Sequence, residues 1–199
     1  MRKALLASFS IFLLSSLPAF SQQANADQTA ADGKAASLEF RGTSYLFRWS
    51  KAGQFEFTPA AQEDLNSWNE MVTLWLYPKI TDGEALAAQA NSVLSNYQNS
   101  KGKILRTNSV PRTPEKPAEH FVAAMLGGAN GGTRFLEFVA ARFVLVDGKG
   151  VGIIYSRRSY GEQAPQELGS WVAQNGAAVE RSAMDFDPSS VISSLQAQK

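Results

Sequence analysis

Hydrophobic and polar positions alternate with a period of two over residues 38–59. Tyr45, Phe47 and Trp49 alternate with Leu46, Arg48 and Ser50. Lys51-Ala52-Gly53 supplies a turn, Phe55 and Phe57 resume the alternation, and Pro59 stops it. Aromatic alternation around a short glycine-containing loop predicts a β-hairpin. Residues 64–69 are mostly polar, with one Trp at 68, and read as a turn or short helix. Residues 71–77 are apolar on both faces, as a central strand covered on both sides would be. Pro78 ends them. Over residues 81–99 the period changes to that of a helix, with Leu86, Ala90, Val93, Leu94 and Tyr97 on one face. Thr81-Asp82-Gly83-Glu84 has capping-box spacing at its start, and Lys101-Gly102 supplies its stop.

Strands are then predicted over residues 103–110, 120–126, 134–146 and 151–155. Pro111, Pro114 and Pro117 make a loop after the first. The glycine-rich residues 127–132 read as a flexible hairpin loop, because a phosphate cradle wants a helix N-terminus and a Gly-Lys-Ser/Thr ending. Asp147-Gly148 is a tight turn between apolar runs. Pro165 opens a second helix with Leu168, Trp171 and Val172 on its buried face; Asn175-Gly176 ends or kinks it, and a helical stretch resumes to Met184. Asp187-Pro188 caps a short last segment, expected to fray. The order predicts an α+β fold: an antiparallel meander flanked by two main helices.

The N-terminus has a different pattern. Arg2 and Lys3 precede an apolar run over residues 4–17, Pro18 breaks it, and small residues follow at Ala19-Phe20-Ser21 and Ala24-Asn25-Ala26. This order is that of a secretory signal peptide cleaved after residue 21 or 26. Residues 27–37 read as a disordered spacer, residues 38–187 as one domain, and residues 188–199 as a short helix or tail. About 175 residues remain after cleavage, enough for one core. The chain has 19 basic and 18 acidic side chains, and losing Arg2 and Lys3 leaves 17 against 18. That balance gives no electrostatic footprint for nucleic acid, and no second apolar span follows the leader. There is no cysteine, which rules out disulfides, thiolate metal sites and a cysteine nucleophile. The expected location is a bacterial periplasm or the medium.

Candidate chemistry is sparse. His120 is the one histidine, no Gly-x-Ser-x-Gly elbow is present, and no carboxylates have metal-binding spacing. His120 reads as a strand-entrance residue, and neither cofactor nor metal is expected. Asp64 and Glu70 flank Trp68, the one arrangement suggestive of a carboxylate hydrolase. Arg157-Arg158 is the most informative polar cluster. Adjacent strand residues point to opposite faces, so Arg157 shares its face with Ile153 and Tyr155. Arg157 then pairs with a carboxylate or reaches an anionic ligand, with Glu137 and Arg142 on the preceding strand as its expected partners. Trp49 and Trp75 are candidates for an exposed aromatic patch, with burial the commoner fate.

The order of elements resembles the PsbP-like α/β/α sandwich shared by DcrB-type periplasmic proteins. The run from Phe143 to Gly148, followed by Ile153 to Gly161, is also similar to a pattern in small exported bacterial proteins of unknown function. The resemblance covers residues 38–186 and implies accessory and binding proteins more than enzymes. It brings no catalytic residue set. The expectation is therefore a non-enzymatic exported protein that contacts an envelope protein through a face or edge of its sheet. The alternative is a binder of a small anionic ligand, in a pocket between sheet and helix lined by Trp75, Tyr155 and Arg157.

Overall fold

The computed structural model describes residues 36–196. The expected leader, and the spacer up to residue 35, lie outside the described residues. The chain forms β1 (Ser37–Phe40), β2 (Thr43–Lys51), β3 (Gln54–Pro59), β4 (Glu70–Tyr77), α1 (Gly83–Asn99), β5 (Lys103–Val110), β6 (Glu119–Asn130), β7 (Thr133–Val146), β8 (Lys149–Tyr160), α2 (Ala164–Asp185) and α3 (Ser189–Gln196). The eight strands make one antiparallel sheet in the order β1-β2-β3-β4-β8-β7-β6-β5. It is two meanders, β1–β4 and β5–β8, joined where β4 pairs with β8.

Four hairpin turns share one chemistry. Arg41-Gly42, Ala52-Gly53, Gly131-Gly132 and Asp147-Gly148 all hold two successive residues at positive φ. That is the type I′ geometry whose twist matches the flanking strands. The turn at Arg41-Gly42 lies inside the region read from sequence as one hairpin. β1 begins at Ser37, and Ala36 is already buried, so the core starts inside the expected spacer.

The sheet is covered on both faces. On one, Leu86, Ala90 and Tyr97 of α1 pack against Val122, Ala124, Val139, Ala141 and Phe143. On the other, Leu168, Val179 and Ala183 of α2 and Val191, Ile192 and Leu195 of α3 join Phe57, Val72, Leu74, Phe138, Ala140, Ile153 and Tyr155. The N-terminal half of β4 is buried on both sides, as its unbroken apolar run predicts.

Four local expectations need correction. Asp82, not Thr81, caps α1, accepting from the Ala85 amide at 2.8 Å. Gly127 and Gly128 lie in β6 rather than in a loop, and only Gly131-Gly132 turn. Phe135 explains this: its ring crosses Gly128 so closely that a Cβ there would stand 2.4 Å from it. β8 runs on to Tyr160, which places both arginines on a strand. α2 passes through Asn175-Gly176 unbroken, because Val179 and Ala183 beyond it are needed in the core. The short last segment forms α3 and buries Val191, Ile192 and Leu195, and residues 197–199, where fraying is expected, lie outside the described residues.

α1 ends in a Schellman arrangement. The Gly102 amide donates to the Tyr97 carbonyl at 2.8 Å and the Lys101 amide to that of Gln98 at 2.9 Å, with Lys101 at φ 59°. A Cβ on Gly102 would stand 2.7 Å from the Tyr97 carbonyl oxygen and 2.5 Å from Leu126. Gly102→Ala is therefore expected to lower stability by about 1–3 kcal/mol in a denaturant titration. A change under a few tenths would show that this turn is not held as described.

Candidate functional site

The paired arginines are the site that the sequence points to. Arg157 faces α2, and Glu70, its direct cross-strand partner on β4, binds its guanidinium. The Tyr45 hydroxyl donates to the other Glu70 oxygen at 2.9 Å. The Arg157 guanidinium lies 4.6 Å from the centre of the Trp171 ring, on which Tyr155 also stacks at 6.3 Å. Burial, reinforced by Glu70, pushes the Tyr45 hydroxyl far above its usual range. Burial first, then Glu70, pushes Tyr155 up to about 12. These hydroxyls stay protonated, and Tyr45 serves as a hydrogen-bond donor.

Arg158 points to the opposite face. Its Nε donates to Glu137 Oε2 at 2.8 Å, again a direct cross-strand partner, and both side chains are buried. Its guanidinium is sandwiched 3.9 Å from Trp68 and 4.1 Å from Phe135. Tyr160 closes the sandwich by donating to the Trp68 carbonyl at 2.6 Å. Arg142 is a third pinned cation. It donates to Glu119 at 2.8 Å and to the Ala183 and Phe186 carbonyls at 3.1 and 2.7 Å, which holds the C-terminus of α2.

The expected pairings are thus corrected. Glu137 serves Arg158, Arg142 serves Glu119 and α2, and Arg157 takes Glu70. Trp75 stands on the opposite face from Tyr155 and Arg157, stacked on Tyr77 at 6.1 Å, so the three line no common pocket. The grouping around Trp68 also separates. Asp64 is exposed and holds a turn by accepting from Asn66 and Ser67, which keeps its carboxyl below the usual range. Trp68 is buried under Arg158, and Glu70 is committed to Arg157. His120 accepts or donates at 3.0 Å to Ser109, and burial lowers its pKa. Trp49 is not buried but 38% exposed. Among the described residues no cluster of ligands is suited to a metal, and no helix is long and apolar enough to cross a membrane.

The open features lie at the other end of the sheet, on a strand with no candidate chemistry in its sequence. β5 is an edge strand, and seven of its eight residues are exposed. Leu105 and Val110 on it are 38% and 42% exposed. Among the described residues its backbone bonds only to β6. The opposite edge, β1, has only four residues. Beside β5 a groove of about 670 Å³ runs between the sheet and the first half of α2, over Met125 and Leu136. Further along α2, Glu180 binds Arg106 at 2.8 Å and Asn108 at 3.4 Å, tying the helix to β5. The signal for β5 was present in its composition, since Lys103, Arg106, Thr107, Asn108 and Ser109 leave few residues suited to burial.

Glu56 on β3 tests the electrostatics of the Arg158 face. Burial raises its carboxyl pKa, and the attraction of Arg158 only partly offsets this. A carboxyl raised in the folded state adds stability at low pH, and that contribution is lost as pH rises through the folded value. Glu56→Gln, which keeps the acceptor for Gln54, should melt above the native protein at pH 7. The gap should close below about pH 4. A variant that melts lower at pH 7 would show Glu56 to be a paired anion instead.

Comparison with solved structures gives distant likenesses. The Ran-binding protein Mog1p of Saccharomyces cerevisiae aligns over 69% of this chain and 84% of its own, at 14% identity and TM-score 0.38. Human STARD10 aligns over 71% and 74%, at 7% identity and TM-score 0.29. A STAR-related lipid transfer protein from Xanthomonas axonopodis aligns over 70% and 94%, at 7% identity and TM-score 0.30. No curated protein matches the sequence. Neither a PsbP nor a DcrB family is found, so what stands of the expected fold is α+β with one antiparallel sheet. A family model matches residues 33–182, from just before the first strand to near the end of α2, and the chain belongs to that uncharacterised bacterial family.

Proposed function

We propose that this is an exported, non-enzymatic accessory protein of the bacterial envelope that binds a protein partner by taking an extended segment of it along β5. One observation carries the reading. β5 is long and exposed, its outer backbone groups have no partner among the described residues, and two large apolar side chains stand on it. An edge of this kind accepts a further strand, with main-chain hydrogen bonds giving affinity and alternate side chains giving specificity. The bulge between Ile104 and Arg106 and the cations at Lys103 and Arg106 interrupt its N-terminal half, which guards against indiscriminate pairing. Thr107 to Val110 remains as the uncharged docking stretch. Export rests on residues 1–26. Glu70, Glu119 and Glu137 are each tied into an ion pair with an arginine of the sheet.

A photo-crosslinking residue placed at Val110, in cells that make the protein, is expected to trap one defined protein partner. The same residue at Trp49, exposed but remote from β5, should trap none. Equal trapping at both positions, or none at Val110, would contradict the reading.

A further inference from the structure

Apart from the edge itself, we infer that the groove between α2 and the β5–β6 end of the sheet binds a single-chain amphiphile with an anionic head, a fatty-acid carboxylate. The floor is Met125 and Leu136, and Leu105, Pro165 and Val172 form the walls. The only charged side chains on its lining are Lys101 and Lys103, both at the end where α1 hands over to β5. Among the described residues neither ammonium has a carboxylate partner. An apolar trough with cationic charge at one end is complementary to an alkyl chain with an anionic head.

Two glycines support an occupant. Gly127 on the floor and Gly169 on the helix wall both line the groove, and a Cβ at either would meet nothing within 4 Å. Neither has a positive φ. Backbone geometry and close packing therefore require neither glycine, and Gly169 interrupts a helix where alanine would be preferred. What they do is keep the trough wide. The walls also select the class of occupant. The β6–β7 ladder and the helix already use their own backbone groups, so a peptide laid here would leave its amides unpaired. An alkyl chain has no such groups to lose. Met125 supplies an adaptable surface for it.

The test is fluorescence of cis-parinaric acid bound to the full chain, displaced by palmitate or by hexadecanol. Palmitate should displace it at about tenfold lower concentration than the neutral alcohol, the preference that one charge-assisted contact supplies. Lys103→Gln should remove that preference and leave hexadecanol unchanged. Gly169→Leu starts from a Cβ in open space and projects its side chain into the trough, so it should abolish binding of the probe while the melting temperature holds or rises. Since the apolar leader is present in every variant, binding through it would be indifferent to Gly169→Leu. That indifference, the absence of palmitate displacement, or binding to anionic vesicles alone would overturn the inference.

Discussion

Everything in this fold depends on the seam between β4 and β8. The strands β1–β4 form one meander and β5–β8 another, and these two strands alone join them. Val72 faces Tyr155 and Leu74 faces Ile153, while Glu70 and Arg157 meet at one end. A slip of one residue would turn every apolar side chain to the wrong face. It would also strand a charge in each layer, which is far more costly than the pair itself is stabilising. Adjacent arginines on β8 therefore act as register pins in two directions, Arg157 toward β4 and Arg158 toward β7. Trp171 carries the same constraint into the helical layer, because it rests on Tyr155, Phe138 and the Arg157 guanidinium.

What was legible in the sequence is what local chemistry decides. The turn at Asp147-Gly148, the amphipathic α1 and the doubly apolar β4 all follow from residues close together in the chain. So does the placing of Arg157 with Ile153 and Tyr155. What was not legible depends on partners far away. Nothing near Glu70 says that it will meet Arg157, and proximity along the chain favoured Glu137, which lies opposite Arg158. The glycines of β6 read as a loop until the Phe135 ring is seen across Gly128. Asn175-Gly176 reads as a stop or kink until the apolar residues beyond it are seen to be required in the core.

The consequence for the site is a displacement. The arginines attract attention as potential anion binders, yet each is consumed by a carboxylate and an aromatic face. The surfaces left unsatisfied lie three strands away. There β5 has no outer neighbour among the described residues, and α2, held over β7 and β8 by Trp171 and over β5 by Glu180, leaves a trough in front of its first half. The rigid seam and the open edge are two results of one topology. Joining the meanders through β4 and β8 places β1 and β5 at the margins, and only β1 is short.

Native-state hydrogen exchange, followed residue by residue, tests this most directly. The account predicts that the amides shared by β4 and β8, from Val72 to Leu74 and from Ile153 to Tyr155, exchange only through global unfolding. The outward amides of β5 should exchange fastest in the sheet. Exchange at the β4–β8 seam ahead of β5, or separate protection of the two meanders, would contradict it.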